Sequence, residues 1–141
     1  MDPDSIIARL GLLPHPEGGH YVETWQARTD RAERPSGSAI YYLLRAGERS
    51  AWHRIDAAEI WHFYAGDPLE LSIASATTDG AIDRLVLGFD IMAGQQPQLV
   101  VPAGDWQSAV SLGRWTLLGC TVSPAFRFEG FELAPKGFEP G

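Results

Sequence analysis

The sequence has little cysteine, little positive charge and no long apolar run, and each shortage excludes a class of protein. Cys120 is the single cysteine, so no internal disulfide can form, and its apolar neighbours predict a buried, inert thiol. Eleven basic residues face eighteen acidic ones, which leaves a formal net charge of −7. That charge disfavours binding to nucleic-acid phosphates or to an anionic membrane surface.

Targeting and membrane-spanning signals are also lacking. The start, Met1-Asp2-Pro3-Asp4, is acidic and has none of the basic residues of a secretory signal. No apolar stretch approaches the ~20 residues of a membrane-spanning helix. We therefore expect a cytoplasmic protein. Because no repeat or linker divides the 141 residues, we expect a single domain over residues 1–141.

Glycine and proline are frequent, and they favour many short strands over long helices. The chain has fifteen glycines and ten prolines. Residues 4–10 predict a short N-terminal helix that Gly11 ends. Asp79-Gly80 predicts a hairpin turn. Runs of strand-forming residues predict strands over 21–25, 39–44, 60–64, 69–73, 82–87, 98–101 and 115–122. This pattern is typical of an all-β sandwich or barrel.

The most informative stretch runs from Gly47 to Gly66. Gly47 is followed after five residues by His53, and Ile55 comes two positions later. Glu59 follows Ile55 after three residues, and Gly66 follows Glu59 after six. This spacing resembles the first signature of the cupin superfamily, in which a second histidine stands at the position that Ile55 occupies here.

A second segment, residues 102–107, resembles the second cupin signature, with Gln107 in place of a histidine. The resemblance can be narrowed, because six segments in the family's order are similar to the cupin-5, or DUF985, family: 13–19, 52–55, 59–64, 67–71, 101–107 and 119–124. It implies a double-stranded β-helix, or jelly-roll barrel, behind the short N-terminal helix. It also implies a homodimer, but it assigns no function.

Only half of the usual cupin metal-binding set is present. Cupins join three imidazoles and a carboxylate, which suits iron, manganese or zinc. Of these donors the chain keeps His53 and Glu59. Ile55 cannot bind a metal, and the neutral amide of Gln107 is a poor transition-metal ligand. We therefore expect no cofactor and, at most, weak metal binding by His53 and Glu59.

The retained pair suits proton transfer. A carboxylate can fix the tautomer of a neighbouring imidazole and raise its basicity. By resemblance to metal-free cupins such as the dTDP-sugar epimerases, His53 is expected to be the catalytic base and Glu59 its orienting partner. A tyrosine is expected to be the acid, and three candidates stay open: Tyr21, Tyr42 and Tyr64. The alternative is that His53 and Glu59 are an inherited polar pair without function.

The alternation of side chains along a strand sorts the pocket candidates. If Glu59 points inward, Trp61 shares its face and His62 points away. Glu17 and Glu23 are candidates for the barrel mouth, with at least one of them expected in solvent. Around the catalytic pair His53 and Glu59, we predict a substrate-binding set of four residues: Tyr21, Glu23, Trp61 and Gln107.

The sequence favours a metal-independent isomerase or epimerase acting on a small polar, sugar-like metabolite. One alternative is a module that holds a small molecule without chemistry. The other is a metal-dependent cupin oxygenase or lyase, which Ile55 and Gln107 disfavour. Each reading expects a small-molecule ligand and a homodimer, with no nucleic acid or membrane as partner. The substrate and the dimer interface are not identified by any segment.

Overall fold

The structure, a computed structural model, describes residues 1–30, 33–75 and 81–138. The predicted turn at Asp79-Gly80 lies outside these residues. The described part contains a helix, α1 (Pro3–Leu10), two 3₁₀ turns (Ile91–Ala93 and Phe128–Gly130) and these strands: β1 (Leu13–Pro14), β2 (His20–Gln26), β3 (Ser38–Arg45), β4 (Arg49–Ile55), β5 (Ala58–Gly66), β6 (Leu69–Ala74), β7 (Ile82–Leu87), β8 (Gln98–Val101), β9 (Trp106–Ser111), β10 (Trp115–Ser123) and β11 (Phe131–Leu133).

Helix α1 begins and ends where its capping residues predict. The Asp2 carboxylate accepts a hydrogen bond of 2.9 Å from the Ser5 N–H, and Gly11 ends the helix in the left-handed region at φ 69°. Ile6 packs against Leu43 of β3, which fixes the helix on the outside of a sheet. No helix in the described ranges combines the length and apolarity needed to cross a membrane.

The strands form two antiparallel sheets that face each other. One has six strands in the order β1-β2-β3-β10-β5-β8, and the other has five in the order β11-β4-β9-β6-β7. Strands distant in sequence lie side by side in both sheets, as β3 and β5 do on either side of β10. This arrangement confirms the predicted all-β jelly-roll barrel with a short N-terminal helix.

Strands β4 and β9 were not among the strands predicted from composition, yet they carry His53 and Gln107. The two residues are direct cross-strand partners. Both strands mix charged, polar and small residues, so neither shows the apolar run or clean alternation of a strand over an apolar core. Their inward side chains include His53 and Gln107, which are polar, and this explains the weak signal.

The barrel interior has two halves of opposite character. One half, here called the packed half, is filled by apolar side chains: Leu44, Phe63, Leu69, Leu71, Leu87, Leu99 and Leu118. The other, the polar half, contains buried ionisable side chains, among them Glu17, His53 and Glu59. Because buried ionisable groups are costly unless paired, the polar half is where function is to be sought.

Candidate functional site

The polar half encloses a cavity of about 30 Å³, which has room for one or two water molecules. Its lining combines carboxyl groups, imidazoles, hydroxyls and a thiol with apolar side chains, and among the described residues it includes no arginine or lysine. The lining residues are His15, Glu17, Tyr21, Ser38, Ile40, Tyr42, His53, Ile55, Glu59, Cys120, Val122 and Phe126.

His53 and Glu17 both line this cavity and contact each other there. The two residues are 2% and 7% exposed, and His53 Nε2 lies 3.0 Å from Glu17 Oε2. His53 Nδ1 lies 2.7 Å from the carbonyl oxygen of Ala51. Because a carbonyl only accepts, Nδ1 carries a proton, and Nε2 faces the carboxyl group of Glu17. The couple therefore joins two ionisable groups inside the cavity.

Two glycines bring Glu17 into the barrel. At Gly18, with φ 117°, an added Cβ would lie 2.0 Å from the carbonyl oxygen of Arg49, so only glycine allows the segment to run this close to β4. The Ala51 N–H then donates to the Glu17 carbonyl at 2.8 Å. The Ser50 hydroxyl donates to Glu17 Oε1 at 2.6 Å, which fixes the carboxylate beside His53.

Glu59 lies across the cavity on β5, in the opposite sheet from His53. It is 8% exposed, and its Oε1 accepts a 2.8 Å hydrogen bond from Gln107 Nε2. Burial raises the pKa of Glu59 to about 7, and the charge of Glu17 adds to this rise, while His53 and the Gln107 hydrogen bond oppose it. A carboxyl group with this pKa gains and loses its proton near neutrality.

His53 and Glu59 therefore face one cavity, as predicted, but the orienting role expected of Glu59 falls to other groups. The Ala51 carbonyl fixes the tautomer of His53, and Glu17 contacts the other ring nitrogen. The physical reason lies in β4, whose pairing with β9 breaks register between Ser50 and His53. The break lets a strand carbonyl turn toward a side chain of its own strand.

Trp61 and Gln107 do not line the cavity. They form a hydrogen-bonded chain that ends at Glu59. Both side chains are fully buried, and Trp61 Nε1 donates to Gln107 Oε1 at 2.8 Å. The amide of Gln107 is oriented by this bond, since its oxygen is occupied and its NH₂ group points at Glu59. These two predicted substrate-binding residues thus position a cavity residue instead.

The other two predicted substrate-binding residues, Tyr21 and Glu23, lie in different surroundings. Tyr21 lines the cavity, with its ring 4.4 Å from that of His15. Glu23 is exposed on β2, beside the point where the pairing with β3 shifts register, and it does not line the cavity. Of the two candidate mouth carboxylates, Glu17 is buried and Glu23 is in solvent, as expected for at least one of them. The substrate contact predicted for Glu23 is not supported by the cavity, because its strand position places it outside the lining.

The three tyrosines proposed as acids also occupy different surroundings. The Tyr42 hydroxyl lines the cavity and donates to the Gly18 carbonyl, and burial raises its pKa well above the usual range. Tyr64 is 46% exposed on the outer face of its sheet. His62, on that same outer face, contacts Thr121 Oγ1 at 3.0 Å, which confirms that it points away from Glu59.

His15 is a site residue that the sequence reasoning missed. Its side chain is 6% exposed, and its Nδ1 accepts a 3.0 Å hydrogen bond from the Glu17 N–H. Burial lowers the pKa of His15, so the ring is neutral near pH 7 and carries its proton on Nε2. The available signal was its place between two prolines, just before Glu17 and the glycine pair.

The residues at the cupin metal positions do not fit a metal ion. Ile55 presents hydrocarbon to the cavity, and Gln107 uses its oxygen on Trp61 and its NH₂ group on Glu59. Over the ranges that the structure describes, no group of three or more histidine, cysteine, aspartate or glutamate side chains is arranged to hold a metal. We derive no chemistry through a metal at this site.

The sequence matches the Cupin_5 family, described as cupin superfamily (DUF985), over residues 4–134. The chain belongs to this cupin family. Among curated proteins, no significant match exists. The protein SO0799 from Shewanella oneidensis is 38% identical, with a TM-score of 0.90 over 95% of this chain and 85% of that one. A hypothetical protein from Leishmania major is 28% identical, with a TM-score of 0.86 over 95% and 88%.

More distant cupins share the fold alone. A protein described as a dTDP sugar isomerase from Desulfovibrio desulfuricans is 14% identical to this cupin, with a TM-score of 0.63 over 89% of this chain and 88% of that one. Oxalate decarboxylase from Bacillus subtilis is also 14% identical, with a TM-score of 0.63 over 85% of this chain and 29% of that one. The fold thus occurs with more than one kind of chemistry.

Proposed function

We propose that this cupin is a metal-independent enzyme that moves a proton on a small, uncharged polar substrate, as an isomerase or epimerase does. One observation carries the proposal: three ionisable side chains, Glu17, His53 and Glu59, are buried around one cavity whose described residues offer no metal-binding set. Burying such groups costs stability, and ionisable groups with perturbed pKa values in a cavity are typical of catalytic sites.

The two proton-holding units lie on opposite walls, which suits removal and return of a proton. One unit is the Glu17–His53 couple beside β4, and the other is Glu59 on β5. One wall takes a proton from the carbon next to a substrate carbonyl. The C–H electron pair forms a carbon–carbon double bond, and the π pair of the carbonyl moves onto its oxygen to give an enolate. The other wall returns a proton to carbon, so the product is an isomer and no oxidant is required.

The charge of the lining favours an uncharged substrate. Glu17 and Glu59 contribute carboxyl groups, and no described lining residue is an arginine or lysine. A phosphate or carboxylate in this space would meet like charge at low dielectric. The dTDP sugar isomerase among the fold relatives supports the reaction class. The lining of this chain points to an unphosphorylated hydroxy-aldehyde or hydroxy-ketone.

The test is deuterium exchange into a panel of unphosphorylated sugars and smaller hydroxy-carbonyl compounds in D₂O, followed by proton NMR. The native protein should catalyse loss of the signal at the carbon beside the carbonyl. His53→Ala should slow this exchange by about 10²- to 10⁴-fold, the usual contribution of a general base. His62→Gln is the matched control, because this imidazole lies on the outer face of β5.

Three results would contradict the proposal, and each points to a different alternative. A compound that raises the melting temperature but never takes up deuterium would indicate a binding module without chemistry. Exchange that is lost with a chelator and restored by a divalent metal would indicate a metal-dependent enzyme. Exchange at the native rate in His53→Ala would mean that other residues move the proton.

A further inference from the structure

We propose that Asp56 is a clasp that keeps the cavity closed at one end of the barrel, and that the clasp opens to admit the substrate. The cavity of about 30 Å³ holds one or two waters. Any hydroxy-carbonyl compound is larger, so part of the wall must move before it enters. The contacts of Asp56 identify which part that is.

The Asp56 carboxylate holds two arginines from distant parts of the chain. It follows Ile55, a lining residue, in the turn between β4 and β5. Arg34 donates to its two oxygens at 2.7 and 3.1 Å, and Arg127 donates twice to Oδ2 at 2.9 and 3.2 Å. A Cβ on Gly130 would lie 2.3 Å from this carboxylate, so the Asp56 side chain also packs directly against the backbone at Gly130.

These contacts fasten a strap, residues 124–128, across the cavity. Arg34 Nε donates to the Ala125 carbonyl at 2.9 Å, and the Ala125 N–H donates to the Pro35 carbonyl at 3.0 Å. The next residue, Phe126, donates its N–H to Ser38 Oγ at 3.0 Å and lines the cavity with its side chain. The clasp therefore holds the strap that places Phe126 against the cavity.

The aromatic side chains of the strap are held by apolar contacts that impose little directional constraint. The Phe126 ring lies 4.9 Å from that of Phe128 and 5.9 Å from that of Phe131, and it packs against the cluster that contains Ile55. Phe131 in turn stacks on His53 at 5.5 Å. Because the Asp56 side chain is 34% exposed, water and salt can reach the ion pairs and loosen them.

Cys120 provides a direct measure of opening, since it is the single cysteine, is 1% exposed and lines the same cavity. We expect Asp56→Asn to speed alkylation of Cys120 by iodoacetamide, an uncharged reagent, by about tenfold at constant pH. Added sodium chloride should speed alkylation of the native protein and have a much smaller effect on Asp56→Asn. Each variant's free energy of unfolding is measured in urea alongside.

Glu48→Gln is the matched control. Glu48 is a carboxylate paired with Arg45 at 3.1 Å, its side chain is 25% exposed, and it lies beyond the opposite end of β3 from Ser38. The Glu48→Gln substitution removes one negative charge, as Asp56→Asn does, but should leave the alkylation rate of Cys120 unchanged. If Asp56→Asn reacts at the native rate, or if both variants gain reactivity in proportion to lost global stability, the clasp is refuted.

A second variant keeps the test decisive if Asp56→Asn does not fold. Phe126→Ala leaves the clasp intact but removes the ring that lines the cavity, so Cys120 should react faster than in the native protein. Phe89→Ala, at a ring that is 63% exposed and lies against Phe63 in the packed half, should react at the native rate. Equal rates in Phe126→Ala and the native protein would place the entrance elsewhere.

The clasp rests on the proposed function only in that the molecule it admits is called a substrate. Alkylation requires no substrate, and deuterium exchange requires no labelled cysteine. A failed alkylation test therefore leaves the proton-transfer proposal standing. Conversely, the absence of any exchange leaves the clasp as the gate of a binding cavity.

Discussion

The packed half and the polar half of the barrel are built by the same strands but meet opposite requirements. Strand β5 carries Glu59 toward one half and Phe63 toward the other, and β9 likewise carries Gln107 and Ala109. Strand alternation decides that all four side chains point inward. It does not decide whether the space they enter is filled with hydrocarbon, because that depends on which residues arrive from the facing sheet.

Trp61 marks the boundary between the halves. Its indole packs in the apolar cluster, while its N–H bonds to Gln107, which in turn bonds to Glu59. A barrel that required stability alone would do as well with hydrocarbon on both sides of this ring. The polar half is therefore a costly arrangement, and substitutions in the two halves and at their boundary measure the cost.

The largest stability effect is expected in the packed half. Leu118→Ala should lower the free energy of unfolding by about 2–5 kcal/mol, because Leu118 is fully buried and the space it leaves is enclosed by other leucines. Ile55→Ala should cost less, since Ile55 already borders a cavity that water can occupy. Urea unfolding of both variants measures the difference, and an equal loss would erase the distinction between the halves.

A pH-dependent effect is expected at Glu59. Its pKa is about 7 in the folded protein against an ordinary 4.5, so between these values the unfolded chain loses a proton that the folded protein keeps. Stability therefore falls as pH rises through this window, by at most about 3 kcal/mol. Glu59→Gln keeps an acceptor for Gln107 and should remove the fall.

The measurement for Glu59 is urea unfolding at pH 4, 6 and 8. Relative to the native protein, Glu59→Gln should gain stability steadily from the lowest to the highest pH. Glu23→Gln, at an exposed carboxylate on β2, corrects for the loss of one charge. A native and a Glu59→Gln curve that run parallel would show that burial in the polar half carries no ionisation cost.

The smallest effect is expected at the boundary. Trp61→Phe keeps the aromatic packing but removes the N–H donor to Gln107 Oε1, leaving a buried amide oxygen unpaired. The expected loss is about 1–3 kcal/mol. Trp25→Phe, at a ring that is 56% exposed, should change stability by less than about 0.5 kcal/mol. If both substitutions cost the same, the Trp61–Gln107–Glu59 chain contributes nothing to holding Glu59 in place.

Sequence reasoning succeeded where a local pattern carries the information. Asp2 and Gly11 mark the ends of α1. The resemblance to the cupin signature implied that His53 and Glu59 share a cavity, and both residues line it. Sequence reasoning missed β4 and β9, because strands that face a polar cavity have no apolar alternation. It also gave Gln107 a contact with substrate, because a residue at a signature position is recognised by its place in the chain and not by its neighbours.

The amino-acid order by itself determined the all-β class, the short capped helix and the inward face of each motif, since these depend on local periodicity. The loss of two metal ligands, at Ile55 and Gln107, follows from the resemblance to the cupin signatures. Only the tertiary structure decided that Glu17 is the partner of His53 and that Gln107 is oriented by Trp61. Each of these contacts joins residues more than thirty positions apart. Such contacts depend on how two sheets pack and where glycines let the backbone approach, which no local pattern specifies.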